Sequence, residues 1–246
     1  MIISIPHGSS LLTTEMEESK RHDVSFPNND WFLNELYSFL PKLNVTTLSA
    51  SYSRYVIDLN RDIKNKYIQG EYTRSLIYHK TTFGREIYST PLSEEVILKR
   101  IEAIYQPYHD CMIFEINRSI QQRNRAFLFD LHSFYFQSTA DVVLGTCQGT
   151  SCSRDLVDVV YGAFVSEGFT VKVDEKGLTG GHIVSHYGSL DHVEVIQVEL
   201  RYTAYIEDRI FGEEEVTRKN AVLFREAQGR LLRVFERIQS VIDLMG

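Results

Sequence analysis

The chain has 246 residues, with 26 lysines and arginines against 33 aspartates and glutamates, for a formal net charge of −7. This acidic balance forms no broad basic field, so composition argues against a general nucleic-acid-binding protein and we expect no nucleic-acid partner. Hydrophobic residues make up 43% of the chain and charged residues 24%, which is typical of a globular protein with a full core.

The apolar runs, the first residues and the cysteines are those expected of a cytoplasmic protein. No apolar run approaches the roughly 18 residues of a membrane-spanning helix, so we expect no membrane partner. Residues 1–6 lack the basic region of a signal peptide and are typical of a first strand. Cys111, Cys147 and Cys152 are an odd, sparse set without zinc-ribbon spacing, as expected in a reducing compartment.

The first part of the chain alternates strand and helix patterns. Residues 2–5 are predicted to form a buried strand that ends in a polar turn with His7. Apolar spacing predicts a helix over residues 30–40, with Asp30 in its first turn, where an acidic residue is also favoured by the helix dipole alone. A short strand is expected over residues 46–51.

Two arginines, Arg54 and Arg61, lie seven positions apart in the sequence and flank a short apolar core. Strand alternation alone does not place them on one face, but a turn could direct both guanidinium groups at one anion. Arginine is the preferred carboxylate ligand because its planar group can pair bidentately. The alternative is that Arg61 pairs with Asp58 or Asp62 on the surface.

A long tyrosine- and threonine-rich excursion follows over residues 63–92, with one hairpin expected, and loops of this length are often functional. Residues 94–116 then have helical spacing, and Pro107 is expected to kink that helix. His109 lies on or near its apolar side and is expected to be a core histidine or to support a ligand, not to be one.

The most informative stretch is residues 127–133, which are predicted to form a buried apolar strand that stops on a polar tip of Asp130, His132 and Ser133. Ligands of open α/β sheets bind at the carboxyl ends of the strands, so His132 is expected to project into a site. The alternative is that Asp130 and Ser133 only form a turn and that His132 is a satisfied core histidine.

The remaining elements are predicted strands over residues 142–146, 169–173 and 193–201 and helices over residues 155–167 and 217–245. The glycine-rich loop of residues 177–181 has no phosphate-loop pattern and predicts no nucleotide. Glu199 comes at the carboxyl end of the last strand, where it could serve a site or pair with Arg201.

Two histidines on separate strand ends, carboxylates and an arginine pair together suggest a metallohydrolase. Catalytic zinc takes three protein ligands and leaves a position for water, while a nearby carboxylate moves the proton. A mixed histidine and carboxylate site also suits other divalent metals.

The sequence resembles the N-formylglutamate amidohydrolase family, itself similar to the zinc carboxypeptidase and aspartoacylase structural group. The resemblance implies a single α/β catalytic domain over residues 1–246, three-layered and phosphorylase/hydrolase-like, with a mixed central sheet and helices on both faces. The matching motifs lie, in the family's order, at residues 5–8, 30–31, 35–37, 53–61, 106–109, 130–133, 180–188 and 197–200.

The resemblance implies that His7 and His132 are metal ligands and that Glu199 is the general base. Carboxypeptidases use a His-x-x-Glu motif, but residue 10 here is a serine, so the third ligand must lie elsewhere. Asp30 is the preferred candidate and Glu15 the next.

The resemblance also implies an anionic small-molecule substrate. Asn60 and Arg61 are similar to the Asn-Arg pair that holds the substrate carboxylate, and Arg54 is a second clamp or a stabiliser of the oxyanion. The substrate-binding residues implied near the glycine loop are His182, His186 and Tyr187.

The function implied is hydrolysis of an N-acyl amino acid, with N-formyl-L-glutamate as the leading substrate. Two departures affect the substrate: the family more usually has His-Ser-Gly where this chain has His7-Gly8-Ser9, and His182 replaces the usual aromatic residue. Other N-acylated amino acids or small peptides are therefore alternative substrates.

Two further alternatives are a non-catalytic carboxylate-binding protein and a serine hydrolase that uses Ser9 or Ser133 with His132. The sequence lacks the Gly-x-Ser-x-Gly elbow that is typical of many serine hydrolases, which argues against the second of these alternatives.

Overall fold

The fold is built on one six-stranded mixed sheet of order β2-β1-β3-β6-β4-β5. The structure is a computed structural model that describes residues 1–65 and 74–245. The pair β4 and β6 is antiparallel and every other pair is parallel, so the carboxyl ends of β1, β3 and β6 lie at one edge. The strands are β1 (Ile2–Ile5), β2 (Thr46–Ser49), β3 (Ala126–Phe134), β4 (Val142–Gly145), β5 (Val171–Val173) and β6 (Val193–Arg201).

Helices cover both faces of the sheet. The α-helices are α1 (Thr14–Ser19), α2 (Leu33–Leu36), α3 (Glu94–Arg100), α4 (Gln106–Arg123), α5 (Arg154–Ser166), α6 (His182–Tyr187) and α7 (Ala221–Met245). One apolar core joins α2, α5 and α7 to the sheet, and a second core joins α3, α4 and α6 to its other face. The neighbours Leu128 and Phe129 contribute to opposite cores, as strand alternation requires. The predicted single-domain, three-layer α/β fold is confirmed.

The central strand β3 is longer than predicted. All nine of its residues are buried, and it continues to Phe134, so His132 and Ser133 lie inside the strand and not beyond it. In the parallel register with β6, Asp130 is paired with Gln197 and His132 with Glu199. The two strands therefore present polar side chains side by side at the same edge of the sheet.

The helix predicted over residues 30–40 is wrong in extent. Only Leu33–Leu36 form an α-helix, and a 3₁₀ turn follows at Leu40–Lys42. Asn28 and Phe32 adopt left-handed backbone conformations, with φ of 58° and 62°, which a helix cannot contain. Asp30 consequently lies in a loop and not in the first turn of a helix.

The long helix predicted over residues 94–116 is interrupted near Pro107, where a kink is expected. The segment Ile101–Tyr105 is π-helical, and α4 starts directly after it with Pro107 as its second residue. A wider turn there accommodates a residue that has no backbone N–H to donate. The sequence did not predict α1 or α6, which are only six residues long each.

Part of the excursion predicted over residues 63–92 lies outside the described residues. In the described part, an antiparallel bridge joins Lys80 to Glu86 around a tight turn at Gly84, which agrees with one hairpin. None of the described helices has both the length and the apolar character that a bilayer-spanning segment requires.

Candidate active site

Three side chains from separate segments converge at the carboxyl edge of the sheet. His7 follows β1, His132 lies in β3, and Asp30 belongs to the loop before α2. Asp30 Oδ2 lies 3.6 Å from His7 Nδ1 and 3.1 Å from His132 Nδ1. One potential ligand atom from each residue lies within 4.8 Å of the others, and all three residues are buried. The structure therefore brings together the three predicted metal ligands.

Each histidine is oriented by a carboxylate on the far side of its ring. His7 Nε2 donates to Asp58 Oδ1 at 2.7 Å, and His132 Nε2 lies 2.8 Å from Asp130 Oδ2. Metal-ligating histidines usually have such a partner, because it fixes the ring and the tautomer. His7 Nδ1 is buried, and none of the described residues forms a hydrogen bond with it. Two imidazole nitrogens and one carboxylate, so aligned, fit a catalytic divalent cation.

Within the cluster, the acids and the histidines stabilise each other's charged forms. Burial alone would raise the pKa of Asp30, but the hydrogen bond with His132 and the nearby ring of His7 outweigh it and lower that pKa below its usual range. Burial would likewise lower the pKa of His132, but Asp130 and Asp30 hold it well above its ordinary value. A bound cation would take the place of the histidine proton.

The loop that carries Asp30 is fastened to the segment that follows β6. The Tyr202 hydroxyl donates to the carbonyl oxygen of Asn29, and the Tyr205 hydroxyl donates to that of Trp31 at 2.9 Å. These two bonds flank Asp30 in the sequence, so they fix the position of its carboxylate.

Glu15, the alternative third ligand, lies in a different environment. Its carboxylate accepts hydrogen bonds from Arg100 Nη2 at 2.9 Å and from Arg100 Nε at 3.0 Å. Arg100 is only 3% exposed, and a buried guanidinium group requires such a partner. The structure does not bring Glu15 into the cluster.

Glu199 lies beside His132 in the sheet, with one carboxylate oxygen engaged and the other free. Gln197 Nε2 donates to Glu199 Oε1 at 3.0 Å, whereas Oε2 is buried and no described residue forms a hydrogen bond with it. Burial, reinforced by Asp30 and Asp130, raises the pKa of Glu199 to about 8. A carboxylate with such a pKa can both accept and return a proton near neutral pH.

The alternative partner of Glu199, Arg201, is engaged elsewhere. Its guanidinium group donates to the carbonyl oxygen of Ser138 and lies 3.4 Å from Asp141 Oδ1.

The two arginines of the predicted clamp meet at one buried carboxylate. Arg54 Nη2 donates to Asp58 Oδ2 at 2.9 Å, and Arg61 Nη2 lies 3.7 Å from the same oxygen. The Tyr78 hydroxyl donates to this oxygen as well. Arg61 therefore pairs with Asp58, as the alternative predicted, but this carboxylate is fully buried and does not lie on the surface. The Nε atoms of both arginines are buried and have no hydrogen-bond partner in the described part of the chain.

Asn60 is already engaged by the protein. Its Oδ1 accepts a hydrogen bond from the backbone N–H of Ile183 at 2.8 Å, and its Nδ2 lies 3.2 Å from His132 Nε2. The amide thus joins the start of α6 to the histidine cluster, and a contact with a substrate carboxylate stays a prediction.

His182, His186 and Tyr187 were predicted to bind substrate, but they do not line the cavity that contains the cluster. The rings of His182 and His186 stack with centroids 5.1 Å apart, and the Tyr187 hydroxyl lies 2.8 Å from His109 Nδ1. Because α6 starts at residue 182, its side chains four residues apart share one side, near α4. His109 is held between Tyr187 and the carbonyl oxygen of Leu59, as expected for a supporting histidine.

A cavity of about 330 Å³ joins the histidine cluster, the arginines and Glu199. Charged and polar side chains line it together with three aromatic residues at and just after the end of β3 and with residues of the glycine-rich loop. Its described lining residues are His7, Asn28, Asp30, Arg54, Asn60, Arg61, His132, Ser133, Phe134, Tyr135, Phe136, Gly177, Leu178, Gly180, Gly181, Gln197 and Glu199.

Sequence reasoning gave no site role to Asp58 or Gln197. Each carried a signal that could have revealed it. Asp58 interrupts an apolar run between two arginines, and Gln197 is a polar residue in an apolar strand, on the same face as Glu199 two positions later.

The chain is similar in sequence to known proteins. The sequence model of the N-formylglutamate amidohydrolase family matches residues 1–206. The chain is 31% identical over 220 residues to an N-formylglutamate deformylase of Pseudomonas putida, covering 85% of this chain and 82% of the relative. It is also 31% identical over 224 residues to the deformylase of Pseudomonas aeruginosa, covering 85% and 83%.

A solved structure has the same fold. The crystal structure of N-formylglutamate amidohydrolase from Ralstonia eutropha JMP134 has a TM-score of 0.76 and 23% identity, and the match covers 97% of this chain and 93% of that one.

Proposed function

Because this chain belongs to the N-formylglutamate amidohydrolase family, we propose that it hydrolyses N-formyl-L-glutamate to formate and glutamate with a bound divalent metal, zinc by preference. One observation carries the proposal: His7, Asp30 and His132 converge in a cavity that also holds an unpartnered oxygen of Glu199. A cytoplasmic location accords with three cysteines that are all free.

His7, Asp30 and His132 would hold the cation through two Nδ1 atoms and one carboxylate oxygen. A zinc ion so bound supplies Lewis acidity, which polarises the amide carbonyl and activates a water molecule. Asp58 and Asp130 keep the two rings in the orientation that leaves each Nδ1 available.

Glu199 acts as general base and then as general acid. Its free Oε2 accepts a proton from the attacking water and returns it to the leaving amine nitrogen, so the carboxyl group ends the cycle as it began. Burial supports this role, because it raises the pKa of Glu199 to about 8 and brings its protonated and ionised forms close in energy.

Arg61 and Arg54 bind the substrate carboxylate and orient the amide. Both guanidinium groups line the cavity, and each has a buried Nε without a hydrogen-bond partner in residues 1–65 and 74–245. A substrate carboxylate can accept from these free donors, and such charge-assisted pairs are among the stronger hydrogen bonds. Arg54 is also placed to stabilise negative charge that develops on the amide oxygen.

A second candidate is the same chemistry on a larger N-acyl amino acid or a small peptide. The observation that favours it is the apolar side of the cavity, where Phe134, Tyr135, Phe136 and Leu178 could contact an acyl group larger than formyl.

Neither of the remaining alternatives accounts for the geometry as well. A serine hydrolase would need a free nitrogen on His132, but both ring nitrogens face carboxylates, those of Asp30 and Asp130. A binding protein would need no metal-type cluster beside an unpartnered Glu199.

A substrate comparison tests the proposal. The zinc-loaded protein is given N-formyl-, N-acetyl- and N-succinyl-L-glutamate and N-formyl-L-alanine, and release of the free amino acid is measured. We expect the highest kcat/KM for N-formyl-L-glutamate and loss of all turnover after chelation. Highest kcat/KM for a larger acyl group would favour the second candidate, and absence of any hydrolysis would reject the amidohydrolase.

A further inference from the structure

Gln197 connects the glycine-rich loop to Glu199. It lies in β6 two residues before Glu199, on the same face of the strand, and is only 4% exposed. Its Oε1 accepts a hydrogen bond from the backbone N–H of Gly181 at 2.9 Å, and its Nε2 donates to Glu199 Oε1 at 3.0 Å.

The backbone N–H of Gly181 determines which way this amide points. An N–H group can only donate, so the carbonyl oxygen of Gln197 must face Gly181 and its NH₂ group must face Glu199. A carboxylate can only accept, so the second bond has the matching polarity. One fixed backbone donor therefore sets the direction of both hydrogen bonds.

Gly181 is itself held in place. A Cβ atom at this position would lie 2.3 Å from Asn60 Nδ2, so only glycine fits so close to that amide. Two residues later, the backbone N–H of Ile183 donates to Asn60 Oδ1 at 2.8 Å. The loop is thus fixed by Asn60 on one side and by Gln197 on the other.

The consequence appears at the Glu199 carboxylate. Its Oε1 is occupied by Gln197, whereas Oε2 is buried and has no hydrogen-bond partner among the residues that the structure describes. A carboxylate bound at one oxygen cannot rotate without breaking that bond, so the free oxygen stays directed at one place.

We propose that Gln197 is a positioning residue that presents Oε2 of Glu199 for proton transfer. The inference rests on the proposed function, because it assumes that Glu199 is the base. Gln197 acts only through Glu199, and it contributes to turnover and not to substrate binding.

The test is a double-mutant cycle on the zinc-loaded protein with N-formyl-L-glutamate. Gln197→Met keeps the length of the side chain but removes both hydrogen bonds, and it should lower kcat by about 10- to 100-fold, the range expected when a reacting group is misplaced by about 1 Å. KM and zinc content should stay within about twofold of the wild type, since neither the clamp nor the ligands change.

The cycle adds Glu199→Gln alone and the double variant. If Gln197 acts only through Glu199, the double variant should turn over as fast as Glu199→Gln, because there is no base left to position. Additive losses, or a change confined to KM, would overturn the inference. Turnover of Gln197→Met within about twofold of the wild type would overturn it too.

Controls separate positioning from folding and from the proposed function. Gln228 makes similar amide contacts away from the cavity, donating to the carbonyl oxygens of Glu35 and Leu36, and Gln228→Met should leave kcat unchanged. Gln197→Asn keeps the amide but is one methylene too short to form both hydrogen bonds, so its kcat should also fall. It replaces Gln197→Met in the test if that variant does not fold. Undiminished turnover in Glu199→Gln would reject the base itself, whereas a loss there with none in either Gln197 variant would reject only the positioning role.

Discussion

His7 and Asp58 are joined by a buried hydrogen bond of 2.7 Å between Nε2 and Oδ1. The other oxygen of Asp58 accepts from Arg54 at 2.9 Å. Burial would raise the pKa of Asp58, but Arg61, His7 and Arg54 together hold it well below its usual range. One ionised carboxylate therefore connects a proposed metal ligand to the proposed substrate clamp.

Asp58→Asn should weaken both functions at once. An amide of the same size cannot carry the charge that the arginines and His7 require, so we expect metal affinity to fall by about 10- to 100-fold and KM to rise. Metal titration and steady-state kinetics on one preparation measure both effects. Asp158→Asn, at an exposed pair with Arg154, is the control and should change neither.

The metal ligands are tested by metal content. His7→Ala or His132→Ala should remove about one equivalent of zinc and nearly all turnover, because the two protein ligands that remain are too few to hold the ion. The exposed His22 provides a control, and His22→Ala should retain full zinc. Full zinc content in either ligand variant would show that the site is misplaced.

Asp30 and Glu15 compete for the third position. Asp30→Ala should lose zinc, whereas Glu15→Ala should retain it and instead lower the melting temperature, since Arg100 would be left as an unpaired buried charge. Zinc loss in the Glu15 variant and not in the Asp30 variant would reverse the assignment.

The clamp is tested by comparing substrates. Arg61→Ala should weaken binding of N-formyl-L-glutamate by about 2–5 kcal/mol, since a desolvated charge pair is broken, and should leave zinc content unchanged. The loss should be much smaller for the analogue whose α-carboxylate is an amide. Arg201→Ala, which changes a partly buried arginine outside the cavity lining, should show no such difference. An equal loss on both substrates would indicate a structural role for Arg61.

Much of the sheet could be predicted because its strands are buried runs with clear ends. Residues 2–5 and 193–201 form strands with the predicted bounds, and the polar tips at His7, His132 and Glu199 meet because parallel strands share an edge. Local patterns therefore located the candidate site along with the sheet.

The features that could not be predicted from the sequence depend on long-range contacts. Asp30 has its position because Tyr202 and Tyr205 hold the neighbouring carbonyl groups, far along the chain. The left-handed conformation of Phe32 delays to Leu33 the start of a helix that apolar spacing alone places from residue 30. The contact of His182 with His109 across α4 and α6 could not be predicted either, and the substrate role of His182 stays a prediction.

The metal-free protein should show a pH dependence of stability that comes from Glu199. Its carboxyl group loses its proton near pH 4.5 in the unfolded chain but keeps it to about pH 8 in the fold. The folded state then binds more protons between these limits, so the free energy of unfolding should fall as pH rises from 5 to 8. Glu199→Gln should reduce this slope, as measured by urea unfolding at several pH values. Identical slopes would contradict burial of a protonated Glu199.

Turnover of Glu199→Gln, measured on zinc-loaded protein with N-formyl-L-glutamate, tests the central claim most directly. Glutamine keeps the size of the side chain and can occupy the same place, but it cannot accept the proton. We predict full zinc content, an unchanged KM and a loss of roughly 10²–10⁴-fold in kcat, the usual span for general acid–base catalysis. A folded, zinc-loaded variant with the turnover of the wild type would contradict the mechanism.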